Sequence, residues 1–308
     1  MVDAFISTTT QSNLVAAAVD RYVRSALRNL PQYRQVVDTR PVQVDKPGSS
    51  VSLYVRSDLA AATTPLNELT DPDAVALPNP TSVTLTLNEY GNATIASIRA
   101  KKMAFSDIDP AQVDAIAYNQ NDTMDQLVQT ELRNGTNVIY GGNAVSTVTV
   151  DAADTLSAAN VRKIVAKLRA GASPGRVGEL YWAGIHPEVS HDLRAETGAG
   201  GWQDLHKYAA PDVFWPGCVG VFEGAFFVET ARAYNALDGA ASARNYRSLF
   251  AGKEAIAEAV AIEPHTEIGV VPDKLNRFFP VGWYGLLGWK RFREASLYRI
   301  ETGSSIAS

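Results

Sequence analysis

At 308 residues, 46% of them hydrophobic, the chain is long enough to bury a sizeable core in one or two lobes. A net charge of −5 and the absence of any lysine-arginine block argue against a dedicated nucleic-acid binder, which carries a basic face. Cys218 is the only cysteine, so no intrachain disulfide forms; MVDAFISTTT lacks the regions of a secretion signal, and no apolar run is long enough to span a membrane.

Residues 12–30 carry a helical pattern: Leu14, Val15, Ala18, Val19, Tyr22, Val23, Ala26 and Leu27 lie on one side. Arg21, Arg24 and Arg28 fall on or near the other side, and Pro31 stops the pattern. Asp20 and the short length argue against a membrane-surface helix. VSLYVR (51–56) and SVTLTLNEY (82–90) alternate apolar and polar residues and read as two strands. About 26 residues separate them, including Pro65, Pro72, Pro78 and Pro80. So long a structureless connection usually has a role outside the compact body. It is either a two-stranded arm that needs a neighbouring subunit to lie on or a disordered surface loop.

A long helix follows, with Asp109 as N-cap and Pro110 at the first helical position. Val113, Ile116, Ala117, Met124, Leu127, Val128 and Leu132 recur at helical spacing, and Gly135 supplies the stop. About 25 residues of helix span roughly 37 Å. Its waist, Asn119-Gln120-Asn121-Asp122, is polar all round. Such a helix either lies across a surface in a larger assembly or is an amphipathic helix with a solvated waist.

Residues 156–171 form the clearest helix, with Ser157 as N-cap, Leu156 and Val161 as a hydrophobic staple, and Gly171 at the end. ELYWAGI (179–185) reads as a buried strand, and His186-Pro187 opens a short helix through Arg194. VGVF and AFFVET flank Glu223-Gly224 as a tight hairpin. The C-terminal stretch, with Phe278, Phe279, Trp283, Tyr284, Trp289, Phe292 and Tyr298 interleaved with Gly282, Gly285 and Gly288, reads as sheet.

Several segments carry a resemblance. They are AATTPL in the arm, TELRNGTNVIYGG, VRKIVAKLRAGASP, IHPEVSHDLR, HKYAAPDVF, VFEGAFFVET and the closing GWYGLLGWKRFREASLYRIETGS. In this order the chain resembles the major capsid proteins of tailed phages, in the N4-type family with the Hong Kong 97 phage fold. The resemblance implies an α+β shell subunit. Its expected parts are an N-terminal arm (1–45), an extended two-stranded loop (46–90), a peripheral domain with a spine helix (91–150 and 264–308) and an axial domain (151–263). On that reading residues 12–30 either pack on the inner side of a shell or dock on their own core.

The search for chemistry is negative. No phosphate loop, nucleophile elbow, HExxH or CxxC motif occurs. Gly198-Ala199-Gly200-Gly201 follows a helix rather than a strand and reads as a mobile loop rather than a phosphate cradle. His186, Glu188, His191 and Asp192 are the one cluster of metal-ligand type, but histidines five apart do not share a helix face. We therefore expect no catalytic residue, no cofactor and no metal.

The expected function is self-assembly into hexamers and pentamers of an icosahedral head shell around phage double-stranded DNA. Assembly is expected in the host cytoplasm, with a portal, a separate scaffolding protein and a decoration protein as partners, DNA near by without specific binding, and no membrane. The chain begins close to the capsid body, so scaffolding is expected from another protein. No lysine occurs between Lys46 and Lys101, so the arm has no amine for the covalent cross-link of the fold's founding member, and noncovalent locking is expected. The alternatives are a nanocompartment shell around a cargo enzyme and, from another class, a metal-dependent hydrolase using His186, Glu188 and His191.

Overall fold

A computed structural model describes residues 28, 30–40, 48–66, 68–69, 71–103, 108–198, 200–203, 217–269, 275 and 277–306, without the side chains of 108 and 109. Most of the 12–30 pattern, HKYAAPDVF and Lys46 lie outside these residues.

The described chain opens with a 3-10 turn, Tyr33–Val36, and the short strand β1 (Asp38–Arg40). The arm strands follow, β2 (Ser50–Val55) and β3 (Thr81–Thr86), then β4 (Asn88–Ser97), α1 (Ile98–Met103), the long helix α2 (Ile108–Arg133) and β5 (Val138–Tyr140). Next come α3 (Ala158–Ala170), β6 (Tyr181–Ile185), α4 (Pro187–Ala195), β7 (Cys218–Phe222), β8 (Ala225–Glu229) and β9 (Asn235–Ala236). The chain closes with β10 (Asn245–Ala251), β11 (Ile256–Ile268), β12 (Phe278–Arg291) and β13 (Leu297–Thr302).

These strands make a seven-stranded sheet, ordered β5-β13-β10-β6-β8-β7 with β9 beside β10, and a four-stranded sheet, β1-β11-β12-β4. The arm is a two-stranded sheet of its own, with Ser50 opposite Thr86 and Val55 opposite Thr81. The aromatic, glycine-spaced C-terminal stretch is divided between the two large sheets, β12 in the four-stranded one and β13 in the seven-stranded one.

Both faces of the seven-stranded sheet are covered, which explains why ELYWAGI is apolar without alternation. Tyr181, Ala183 and Ile185 pack with Val161, Ile164 and Leu168 of α3 and with Val189 and Leu193 of α4. Trp182, between them, faces the other way and packs with Phe226, Leu249, Tyr33 and the α2 residues Met124, Val128 and Leu132. The rings of Tyr33 and Trp182 meet edge to face at 5.7 Å. Helix α2 thus closes the second face of this sheet while also packing on β12 and β4.

Local signals explain most boundaries. Ser157 caps α3 by accepting the N–H of Asn160, and Leu156 and Val161 are both buried in the same cluster. His186 caps α4 through its ring, with Pro187 at the first position. Glu223 and Gly224 both take positive φ, 50° and 85°, as a two-residue turn matched to strand twist requires.

Two boundaries differ from expectation. Helix α2 as described already includes Ile108 and Asp109, so Asp109 lies within the helix rather than capping it. SVTLTLNEY is not one strand. It breaks at Leu87, where the chain leaves β2 and takes β12 as its new partner, and the Leu87 N–H is satisfied by the Ser49 carbonyl at 3.0 Å.

Candidate assembly surfaces

The arm is built from its root outward. Leu85 is fully buried and Leu87 nearly so, packed with Ala257, Ala259, Val51, Leu53, Leu286 and Phe292. Gly288 makes this approach feasible, since a Cβ there would strike the Thr86 carbonyl oxygen. The arm therefore lies on its own body at the root, where the sequence suggested reliance on a neighbour. Beyond Val55 and Thr81 no regular structure occurs among the described residues, and Leu59, Leu66, Leu69, Val75 and Leu77 are all at least half exposed.

The polar waist of α2 is bonded rather than merely solvated. Asn119 Oδ1 accepts Trp283 Nε1 from β12 at 2.9 Å and Asn92 Nδ2 from β4 at 3.2 Å. Gln120 Nε2 donates to the Pro264 carbonyl on β11 at 3.1 Å. Asp122 pairs with Arg232 and accepts Gln126 Nε2 at 2.9 Å. Polar residues at the waist suit a helix laid across the exposed part of a sheet, with its apolar C-terminal half reaching the second core.

Three carboxylates stitch the incoming segment 33–40 to the body. Asp125, buried on α2, accepts the backbone N–H groups of Tyr33 and Arg34 and faces Arg232. Burial raises its pKa against the opposing pull of Arg232 and those amides, and burial raises that of Tyr33 beside it. Glu258, buried on β11, accepts Trp289 Nε1 at 3.0 Å, Arg34 Nε at 3.1 Å and the Thr39 hydroxyl at 3.2 Å. Asp38 accepts Arg176 Nη1 at 2.8 Å and the Glu254 N–H at 2.6 Å, while β1 pairs in parallel with β11. Sequence reading missed this stitching. One signal was present: Asp125 sits three residues before Val128, on the apolar side of α2, where a charge demands a buried partner.

The Gly-Gly pair that ends TELRNGTNVIYGG also acquires a reason. Gly142 has φ +48°, and a Cβ there would collide with Asp154. Asp154 in turn accepts the N–H groups of Asn143 at 2.8 Å and Asp151 at 3.1 Å, fixing the exit from β5.

The metal-type cluster is dispersed into structural work. His186 Nδ1 accepts the Glu188 N–H at 3.3 Å, and burial lowers its pKa. Glu188 accepts the Tyr246 hydroxyl through its carboxylate and the Ser304 hydroxyl through its carbonyl. His191 is half exposed and pairs with Asp192 at 3.3 Å. Asp192 also accepts the Ser305 N–H and hydroxyl; burial would raise its pKa, but these bonds outweigh that and hold it below the usual carboxylate range. Among the described residues no three histidine, cysteine or acidic side chains converge as metal ligands. In the 198–201 loop the Gly200 carbonyl accepts Arg162 at 2.6 Å, an arrangement that suits a cation rather than a phosphate. Among the described residues no helix is long and apolar enough to cross a membrane.

A family profile described as phage capsid protein matches residues 130–295, more than half of the chain. The chain belongs to the phage capsid protein family. The match spans the end of α2, both flanks of the seven-stranded sheet and β12. No curated protein matches the sequence. Solved structures agree on the fold. The capsid of cyanophage Pam1 superposes with a TM-score of 0.76 at 14% identity, covering 99% of this chain and 100% of that one. The head of Helicobacter pylori bacteriophage KHP40 gives 0.72 at 15% identity over 97% and 99%. The capsid of Ralstonia phage GP4 gives 0.71 at 15% identity over 98% of each chain. The fold is that of Hong Kong 97-like capsid proteins, and the chain is a capsid shell protein of the virion, a structural role rather than an enzymatic one.

Proposed function

We propose that this capsid protein assembles with copies of itself into hexamers and pentamers of an icosahedral head around double-stranded DNA, and that it belongs to the N4-type branch. The arm carries the reading. Its root is fixed by Leu85 and Leu87, yet the loop beyond presents Leu66, Leu69, Val75 and Leu77 to solvent in a single chain. Apolar side chains grouped on a projecting element point to a surface that another molecule covers. Symmetry then multiplies weak contacts into a closed shell.

Within the subunit, residues 1–45 act as the N-terminal arm, 46–90 as the extended loop, 91–150 and 264–308 as the peripheral domain and 151–263 as the axial domain. The sheets support this division with two qualifications: β5 and β13, from the peripheral segments, pair into the seven-stranded axial sheet, and residues 256–263, from the axial segment, open β11 of the four-stranded sheet. The ordered segments from AATTPL to the C-terminal stretch support the N4-type assignment. A portal, a separate scaffolding protein and a decoration protein complete the head, assembled in the host cytoplasm. The DNA is contained without a specific site, in keeping with a net charge of −5.

Sedimentation of native particles with assay of their nucleic acid tests this reading. Large particles containing nuclease-protected double-stranded DNA are expected. Particles filled with a protein cargo and free of nucleic acid would overturn it.

A further inference from the structure

Helix α3 presents a cationic face in a chain of net charge −5. Residues 155–178 carry Arg162, Lys163, Lys167, Arg169 and Arg176 and no acid. Val161, Ile164, Val165 and Leu168 turn the apolar side of the helix to the seven-stranded sheet, which leaves Arg162, Lys163, Lys167 and Arg169 exposed. Lys163 and Lys167 stand one turn apart, and Arg162 to Arg169 spans about 10 Å of helix axis. Among the described residues nothing pairs with the side chains of Lys163, Lys167 or Arg169. Of the acids at the borders of the helix, Glu223 is taken by Arg162 at 2.9 Å and Glu196 by the Ala158 N–H at 2.8 Å. Exposed Lys253 adds a cation beyond the helix end, its N–H donating to the Pro174 carbonyl at 3.0 Å.

Helix stability accounts for only part of this pattern. Lys167 and Arg169, in the last turn, favour the negative end of the helix dipole. Arg162 and Lys163 lie in the N-terminal half, where a cation gains nothing from the dipole. The first turn has no acid, although one would stabilise it. Lys163 and Lys167, four apart, also repel each other. The folded subunit thus keeps an uncompensated positive ridge, which calls for an anionic partner. Duplex DNA fits it. A duplex presents one negative charge about every 1.7 Å of axis, so a ridge of this length meets several phosphates in any register without reading sequence. Lysines serve there as flexible point charges, which suits a contact of no fixed geometry.

We propose that the α3 face formed by Arg162, Lys163, Lys167 and Arg169 lies against the enclosed duplex, so that this face lines the inside of the shell. This rests on the shell reading and names the surface that meets its DNA. A few phosphate contacts per subunit hold the duplex loosely and let it slide, and they weaken steeply as salt rises.

Native particles supply the first test. Formaldehyde, which joins amines to DNA bases, is applied to filled particles, and the bridged peptides are identified by mass spectrometry. Bridges from Lys163 and Lys167 are expected. An amine reagent too bulky to enter the closed shell should spare both lysines in intact particles and modify them once the shell is opened and its DNA digested. Modification of both in the intact particle, or bridges confined to other lysines such as Lys101, Lys102 and Lys290, would overturn the proposal. The second test uses the purified full chain on immobilised random-sequence duplex DNA. Wild type should be retained at about 50 mM salt and eluted as salt rises. A chain with Lys163→Gln, Lys167→Gln and Arg169→Gln should elute at clearly lower salt or pass straight through. A chain with Lys163→Arg and Lys167→Arg should elute with wild type. The three positions are exposed, so thermal melts of both variants should match wild type. Passage of the wild type straight through, or its co-elution with the glutamine variant, would also overturn the proposal. Native particles free of DNA would instead overturn the shell reading, and this one with it.

Discussion

The carboxylate of Asp125, deep in α2, accepts the backbone N–H of Tyr33 at 2.7 Å across 92 positions of sequence. The same oxygen takes the N–H of Arg34 at 3.3 Å, and the second oxygen faces Arg232 Nε at 3.1 Å. One buried acid thus joins the incoming N-terminal segment, helix α2 and the turn after β8.

Replacing Asp125 by alanine should destabilise the unassembled subunit by about 2–4 kcal/mol, because it leaves two buried amides without their acceptor and Arg232 with Asp122 as its remaining acid. Asp125→Asn should cost less, since its side-chain oxygen still accepts from Tyr33. Urea unfolding of the two variants measures the difference. Equal, small losses would show that the stitch is dispensable.

Acid should loosen two other ties. Burial would raise the pKa of Glu254, but Arg40 and Arg293 outweigh it and hold it low; Asp192 is held low by its bonds to Ser305. A depressed folded pKa gives stability that is present above the unfolded value, about 4, and lost as pH falls through the folded value. Asp125 runs the other way: its raised folded pKa lets the native state take up a proton first, so its contribution improves on acidification. Melting temperature measured from pH 7 to 3 should therefore fall less steeply at the acid end in Glu254→Gln or Asp192→Asn than in wild type.

The root of the arm should behave as core. Leu85→Ala should cost about 2–4 kcal/mol and leave the arm less firmly seated. Limited trypsin digestion at the exposed Arg56 reads the second effect, and faster cleavage than in wild type is expected. A destabilised subunit with an unchanged cleavage rate would separate the core from the arm.

Deleting residues 58–80 should leave circular dichroism and melting of the body close to wild type while abolishing shells. These residues are exposed wherever described and add nothing to the buried clusters. Normal shells from the deletion chain would make the arm dispensable.

Elements with local signals were legible in the sequence. Ser157 and Gly171 bracket α3, His186-Pro187 opens α4, and Glu223-Gly224 turns the β7–β8 hairpin, because caps and turns are set by residues close in sequence. Long-range relationships were not legible. Nothing local to Trp283 announces its bond to Asn119, and nothing near Tyr33 announces Asp125. The waist of α2 read as wet because the pattern shows polarity but not the sheet that satisfies it. The break at Leu87 was hidden for a related reason: alternation continues through it while the partner strand changes. The partners of the His186 cluster were hidden in the same way: nothing local to Glu188 announces the Tyr246 hydroxyl, and nothing local to Asp192 announces Ser305.

The central claim, that this chain builds a shell, is tested most directly by electron microscopy of the expressed protein, alone and co-expressed with the other head genes of its phage. Closed particles or rings built from the 33.2 kDa subunit are the expected result. A monodisperse, stable monomer under every assembly condition would contradict the account.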